Sequence, residues 1–454
     1  MEMENKNLLV VGLGKTGLSV IEQLKGKAVS IIAVDDSPEM DVPVKKDENV
    51  NFFLGRAAKD LGLLENIQLV VASPGVPSVH PFLKTAKDLK IPIWSEIELA
   101  WNLLEKDEKK NTIAVTGTNG KTTVVNILGK ILRDKGMEAC VCGNVGYPLI
   151  STLGRRGLFR VIEVSSFQLE WTVNFAPHIG ILLNISSDHL DRHLALEEYA
   201  RIKFKLFSKQ KNSDYCIINA EDGVISSMSE GFSTGSKIVR YGEKKDLDVF
   251  FSGDKVTCSL GSKKMEIDAS SSRLRGKHNI SNIAACIAAS ALVGVDERTM
   301  ENALNEFRPL EHRLEYAGVH KGVHCYNDSK STNPHATIAA LKNFKKPLTL
   351  LLGGKDKGMD LKDLVAELEK SISSLILIGE SKAKIFNTLN GAGHGFEVHV
   401  CDTLKDAVRK GLEVTPRGGT FLFSPAFASM DMFRDYKDRG RKFKSILALE
   451  DDGS

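Results

Sequence analysis

Short runs of β-branched and leucine residues alternate along the chain with stretches whose apolar positions recur three and four apart, and glycine or proline clusters separate them. In the first hundred residues Leu8–Val11, Ile31–Val34 and Ile67–Ala72 read as buried strands, with a helix near Phe82–Leu89. Ile113–Val115, Val161–Val164 and Ile179–Leu183 continue the rhythm, and a helix opens at Thr122, where Val125 and Leu128 stand at helical spacing. Residues 211–275 are β-rich, and an alanine-rich helix follows Ile280. A third series of strands runs through Val323–Tyr326, Leu348–Leu352, Leu375–Ile378, Val398–Val400 and Thr420–Phe423. Continuous apolar strands separated by helices are the mark of sheets covered on both faces. The pattern therefore predicts three α/β domains. The charged run Glu105–Asn111, which lacks apolar periodicity, and the break at Phe307-Arg308-Pro309 set them at residues 1–105, 106–308 and 309–454.

Composition narrows the function classes. A net charge of +3 from 61 basic and 58 acidic residues gives no field that would argue for a nucleic-acid partner. No apolar run approaches the roughly 18 residues of a bilayer span, and the start Met1–Lys6 lacks a signal peptide's basic and apolar segments, so a cytoplasmic protein without membrane insertion is expected. The seven cysteines form no C-x-x-C pair and are expected as reduced thiols; Cys140 and Cys142 share one face of a strand.

Candidate chemistry gathers at strand ends. The stretch Thr112–Val125 passes from a buried strand through Thr116-Gly117-Thr118-Asn119-Gly120-Lys121-Thr122-Thr123 into a helix. Backbone N–H groups and a helix N-terminus there suit an anion, Lys121 supplies a cation, and the Thr122 hydroxyl can ligate Mg²⁺, so Gly117 to Thr123 are read as a shortened phosphate loop for ATP. Glu163 lies inside an apolar strand and requires a cation or donor, which Mg²⁺ would supply. His189 and His193 stand four apart without the glutamate of a zinc helix; His189 alone suits an oxygen-rich Mg²⁺ site. Tyr199–Phe207 carries Arg201, Lys203 and Lys205 among apolar positions and reads by pattern as a half-buried helix face with snorkelling lysines; only a carbamate formed with CO₂ would make such a lysine an anionic ligand.

The first strand leads into Gly12-Leu13-Gly14-Lys15-Thr16-Gly17, and the second ends at Asp35 and Asp36, an arrangement open to a dinucleotide, a uridine nucleotide or simple strand-helix packing. Ser73-Pro74-Gly75 is a further turn at a strand's C-terminal end. Asn279 and Asn282, three apart, can contact a base or cap their helix. Asn327-Asp328-Ser329-Lys330-Ser331-Thr332-Asn333-Pro334 reads as a site loop, and Gly353–Gly358 as a basic glycine loop suited to a carboxylate. The last strand feeds Ser424–Phe433, with Tyr436 one helical turn on.

These motifs together resemble the Mur ligase superfamily nearly end to end. The marks are residues 12–19, Thr116–Thr122, Glu163–Glu170, Asp188–Arg192, Gly276–Asn279, His312-Arg313, Asn327–Lys330 with Thr332, and Ser424-Pro425-Ala426 with Ala428-Ser429 and Asp431. The last favours the branch that adds D-glutamate. The resemblance implies a Rossmann-like N-terminal domain, a central P-loop-type ATPase domain with a mixed sheet, and a Rossmann-like C-terminal domain. It also implies that Lys121 and Thr122 hold ATP phosphates and Mg²⁺, that Glu163 ligates that ion, and that His189 and carbamylated Lys203 serve a second Mg²⁺. Asn144 would contact the muramoyl substrate, and Gly14, Lys15, Thr16, Asp35, Asp36 and Ser73 the uridine diphosphate. Asn279, Asn282, Arg313 and Asp328 would hold ATP; Lys330, Thr332, Lys357, Ser429 and Tyr436 would face D-glutamate. Phe427 stands where a small residue is common and Tyr436 where Phe is expected; Lys355 competes with Lys357, which its distance from Gly353 favours.

The implied reaction joins D-glutamate to UDP-N-acetylmuramoyl-L-alanine through an acyl phosphate, in a monomer whose third domain closes on the second. Two alternatives remain: a folylpolyglutamate synthase, which would lack the uridine-type first domain, and a binding protein gated by nucleotide.

Overall fold

The computed structural model describes residues 6–27, 30–38, 47–186, 195–260, 264–274, 276–308, 311–356 and 358–452. The first sheet comprises β1 (Asn7–Val11), β2 (Ser30–Asp35), β3 (Val50–Leu54), β4 (Leu69–Ala72) and β5 (Ile93–Ser95), all parallel, in the order β3-β2-β1-β4-β5. The chain reverses its direction of travel across the sheet between β1 and β4, so the loops after them flank a crevice of the kind in which open α/β sheets bind ligands.

The second sheet comprises β6 (Thr112–Thr116), β7 (Ala139–Gly143), β8 (Phe159–Glu163), β9 (Ile179–Leu182), β10 (Tyr215–Asn219), β11 (Lys237–Gly242), β12 (Val249–Ser252), β13 (Lys255–Cys258) and β14 (Met265–Asp268), in the order β14-β13-β12-β11-β10-β9-β6-β8-β7. It is parallel from β7 to β12 and antiparallel from β12 to β14, the mixed sheet expected. All five residues of β6 are buried, as befits a strand paired on both edges and covered on both faces.

The third sheet runs β15 (Glu315–His320), β16 (Val323–Asn327), β20 (Thr420–Phe423), β17 (Leu348–Gly353), β18 (Ser374–Ile378) and β19 (Glu397–Val400) in that spatial order, antiparallel only between β15 and β16. Three sheets form two compact units, the first two sheets in one and the third in the other.

Within the first unit one hydrophobic cluster runs from Leu8 and Val10 through Ile97 and Trp101 to Ile162 and Val164. The helix Glu96–Leu103 links the two sheets. Its Glu98 carboxylate, fully buried, accepts hydrogen bonds from the backbone N–H groups of Val173, Asn174 and Phe175, and Glu96 accepts one from Ile150 at 2.6 Å. The charged run after residue 105 folds into the short helix Lys106–Lys110, closed by a reciprocal Glu105–Glu108 capping box. Glu108 also pairs with the buried Arg160 guanidinium at 2.5 Å. Among the described residues no helix is long and apolar enough to cross a membrane.

Candidate active site

In the first unit the loop after β6 is built for close approach. Gly117 (φ 153°) and Gly120 (φ 86°) occupy conformations that side chains resist, and a Cβ on Gly120 would lie 2.5 Å from Asn282 Oδ1. Gly120 is also the N-cap of the helix Lys121–Asp134, leaving that N-terminus without a side-chain cap. Asn184, just past β9, clamps the loop: its Oδ1 accepts from Asn119 N, its Nδ2 donates to Asn119 O, and its carbonyl accepts from Thr118 N. Lys121 Nζ donates to Gly117 O at 2.6 Å and Thr118 O at 2.9 Å. Thr123 is buried and Thr122 half-buried beside it.

Lys203, 1% exposed, donates from Nζ to the same Gly117 carbonyl at 3.0 Å and lies 4.3 Å from the centroid of Tyr199. Two lysine nitrogens thus converge on one oxygen. Glu163, at the end of β8 and 2% exposed, accepts from Asn144 Nδ2 at 2.8 Å through Oε1; its Oε2 is buried with no hydrogen-bond partner among the described residues. Thr116 Oγ1, at the end of the adjacent β6, is likewise buried and unpartnered. An orphaned carboxylate oxygen and an orphaned hydroxyl at neighbouring strand ends, beside the Gly117–Thr123 loop, are oxygen donors that fit Mg²⁺. His189 lies outside the described residues.

At the first sheet, Gly12 adopts φ 87°, and a Cβ on Gly17 would meet Gly12 O at 2.1 Å, so the helix Lys15–Leu24 packs against the turn only through glycine. Ser73 Oγ donates to Gly12 O at 2.7 Å. Asp35 accepts from Leu13 N at 2.7 Å and from Ser37 N, so it braces the turn. Asp36 is exposed, its Oδ2 3.4 Å from His80 Nε2. Gly14 and Lys15 are exposed and Thr16 half-buried; no atom beyond the chain neighbours would crowd a Cβ at Gly14. Lys15 donates to Gly146 O and lies 5.6 Å from the ring centroid of Tyr147, which brings the first sheet's turn to the loop that carries Asn144. Asn279 lies in the first turn of the helix Lys277–Leu292 and Asn282 faces the phosphate loop.

In the second unit the loops after β16, β17 and β20 meet at the C-terminal end of these three neighbouring parallel strands. Asp328, buried, accepts from Leu314 N, Ser331 Oγ and Ser424 Oγ, and burial pushes its carboxyl up to about 6 against those hydrogen bonds and the Arg313 charge. Lys330 Nζ lies 4.0 Å from the Tyr436 ring centroid, so two residues that face D-glutamate in the resemblance are in contact. Ser429 is buried, Thr332 half-buried and Lys355 exposed; Lys355 N pairs with Ala428 O. Lys357 lies outside the described residues. His312, Leu314 and Ala426 have φ of 66°, 44° and 59°, a concentration of left-handed backbone on non-glycine residues around these loops.

Family models match along most of the chain: a Mur ligase MurD-like N-terminal domain at residues 6–95, a Mur ligase middle domain at 115–290 and a Mur ligase glutamate ligase domain at 312–427. A UDP-N-acetylmuramoylalanine--D-glutamate ligase of Caldanaerobacter subterraneus subsp. tengcongensis is 37% identical over 98% of this chain and 99% of its own. One from Geotalea uraniireducens is also 37% identical, with both chains covered in full. The chain belongs to the Mur ligase family. Its curated relatives put this Mur ligase among the ligases that use D-glutamate, as the Ser424–Asp431 marks led one to expect. Solved structures agree in fold: a MurF ligase from Thermotoga maritima in complex with ADP aligns with a TM-score of 0.60 at 16% identity, covering 100% of this chain and 96% of that one. A pseudomurein peptide ligase type C from Methanothermus fervidus aligns at 0.60 and 19% identity, over 98% and 100%.

Some residues that tie the loops of the candidate site together carry no pattern signal. Arg439, fully buried, donates to Ser329 Oγ and O, Phe427 O and Ala428 O, tying the loop after β16 to the loop after β20. Burial lowers its guanidinium to about 9 despite Asp431 and Asp328. Its helix, Tyr436–Asp452, bears many cations, and nothing in their spacing marks one as buried. Asn184 was legible only as a polar residue closing an apolar strand.

Proposed function

We propose that this ligase joins D-glutamate to the alanyl carboxylate of UDP-N-acetylmuramoyl-L-alanine by way of an acyl phosphate. The carboxylate oxygen attacks the γ-phosphorus of ATP and ADP leaves; the amine of D-glutamate then attacks the acyl carbon, loses a proton, and inorganic phosphate leaves. The observation that carries this reading is the buried, half-satisfied carboxylate of Glu163 beside the Gly117–Thr123 loop. Its unpartnered Oε2 calls for a cation, and a phosphate loop calls for an anion, so a metal-nucleotide complex answers both.

Thr122 and Glu163 would hold one Mg²⁺, and His189 with Lys203 a second; bound there, the ions supply charge neutralisation to the transferring phosphoryl group. Carbamylation of Lys203 removes the like-charge convergence of Lys121 and Lys203 on Gly117 O, which supports the modification. With that change Lys121 is left as the cation at the loop mouth that would turn toward the outer phosphates. Gly14, Lys15, Thr16, Asp36 and Ser73 would receive the uridine diphosphate, with Asp35 holding their turn, and Asn144 the muramoyl group. Lys330, Thr332, Lys357, Ser429 and Tyr436 would receive D-glutamate, whose two carboxylates require cations and donors. The reaction belongs to cytoplasmic peptidoglycan precursor synthesis by a monomer with domains at 1–105, 106–308 and 309–454.

The test supplies UDP-N-acetylmuramoyl-L-alanine, Mg²⁺ and ATP with D- or L-glutamate, and follows phosphate release and product mass. Phosphate and amide product in equal amounts with D-glutamate are expected. ATP hydrolysis that ignores the uridine substrate, with no amide formed, overturns the reading.

A further inference from the structure

Cys140 and Cys142 lie on β7, the edge strand of the second sheet, and point to the same face because they are two residues apart. Cys140 is half-buried and Cys142 fully buried, and the neighbouring Cys142 thiol draws the Cys140 thiol below its ordinary value against the effect of burial. The cross-strand partner of Cys140 on β8 is Arg160, whose buried guanidinium, together with Arg155, favours a thiolate at Cys140; Glu138 opposes it. Beside Cys142 stand Glu96 and Arg160. Of the remaining described cysteines only Cys401 is not buried.

We propose that Cys140 and Cys142 are a modification site: a dithiol that hydrogen peroxide oxidises to an intrachain disulfide, withdrawing Asn144 from Glu163. The Cys140 thiolate attacks one peroxide oxygen, the O–O bond breaks, and water leaves once the departing oxygen has taken a proton. Cys142, losing its proton, displaces the hydroxyl of the resulting sulfenic acid as a second water. Two thiols and one peroxide become a disulfide and two waters, the sulfurs giving up the two electrons that reduce the peroxide.

The strand makes this bridge consequential. Residues two apart on an extended strand have Cα atoms roughly 6.6 Å apart, near the upper end of the range of about 4.4–6.8 Å found for disulfides. Closing the bridge therefore bends β7, which has a strand on one edge and only the bridge of Cys142 to Tyr147 on the other, and which yields there. The bend falls one residue before Gly143, whose N–H bonds to Tyr147 O, and two before Asn144, whose N–H and Nδ2 both bond to Glu163. Both contacts lengthen in the bridged form. The loss of activity rests on the substrate role proposed above for Asn144; the bridge itself does not.

The full chain, reduced and then exposed to hydrogen peroxide, is alkylated under denaturing conditions, weighed intact and digested. The expected product has lost two alkylatable thiols with no oxygen gained, is bridged between Cys140 and Cys142, and is restored by dithiothreitol. The bridged protein is expected to show a KM for UDP-N-acetylmuramoyl-L-alanine raised about tenfold or more, the worth of one charge-assisted hydrogen bond. Cys140→Ser and Cys142→Ala, each checked for an unchanged melting temperature when reduced, should keep their KM through the same treatment. Oxygen accumulating on Cys140 while Cys142 stays alkylatable overturns the bridge. A bridged protein with unchanged KM overturns its coupling to Asn144. If reduced wild-type protein forms no amide product, the reading of the reaction fails while the mass measurement still decides the bridge.

Discussion

Replacing Glu163 by Gln should make the ligand-free protein more stable and the enzyme nearly inactive. The carboxylate is 2% exposed, with Oε1 held by one side-chain hydrogen bond and Oε2 by none. Leaving such a charged group half-satisfied costs about 1–3 kcal/mol or more. Gln retains an oxygen for Asn144 Nδ2 and exchanges an orphaned charge for an orphaned neutral N–H, a smaller loss. A net gain of about 1–2 kcal/mol follows, which in a chain of this size raises the melting temperature by about 1–4 °C. In wild type, Mg²⁺ with ATP should add further stabilisation through the same oxygen, and in Glu163→Gln that increment should largely vanish. Loss of one anionic ligand should lower kcat by about 10²- to 10⁴-fold, or roughly 3–5 kcal/mol. Differential scanning calorimetry with and without Mg²⁺ and ATP, paired with phosphate release, reads all three. A variant that melts several degrees lower without ligand, yet keeps the Mg²⁺-dependent increment and its turnover, would refute the account of Glu163 as a group poised for a cation.

Burial raises the Glu96 carboxyl from 4.5 to about 7 despite the hydrogen bond from Ile150. A carboxyl with a raised folded value binds its proton more tightly when folded, so stability should fall as pH rises from about 4.5 to 7, by about 3 kcal/mol from this group; denaturant midpoints of Glu96→Gln should lose that slope. Gly120→Ala puts a Cβ 2.5 Å from Asn282 Oδ1 at φ 86°, and should cost about 1–3 kcal/mol and weaken ATP binding, measurable by calorimetric titration. Arg439→Met leaves Ser329 O, Phe427 O and Ala428 O without this donor; a loss of about 3–5 kcal/mol is expected in denaturant melts. In the milder Arg439→Lys, KM for D-glutamate should rise with kcat less affected.

What the sequence determined by itself was whatever depends on near neighbours in the chain. Strand and helix periods come from local side-chain alternation, so the apolar runs at β1, β6 and β17 and the turn glycines Gly12, Gly17, Gly117 and Gly120 could be read directly, and with them the α/β class and the glycine turn between β6 and its helix. A carboxylate inside an apolar strand announced Glu163 as a group in need of a cation or donor because burial of charge is costly wherever the strand goes. Pairings between distant segments were decided only in three dimensions. Sheet order places Glu163 beside Thr116 and leaves one oxygen of each unpartnered; Asn184 and Asn282 reach the phosphate loop from 65 and more than 150 residues away. Lys203 looked like a solvated cation because a helix pattern records which face is apolar and not what the polar face meets, here Gly117 O. The charged run at 105 showed only as a stretch without apolar periodicity for the same reason, and its Glu108 meets Arg160 52 residues later. Arg439 shows the limit most plainly: a buried guanidinium is sustained by four acceptors on two other loops, and no local pattern encodes partners supplied by the rest of the fold.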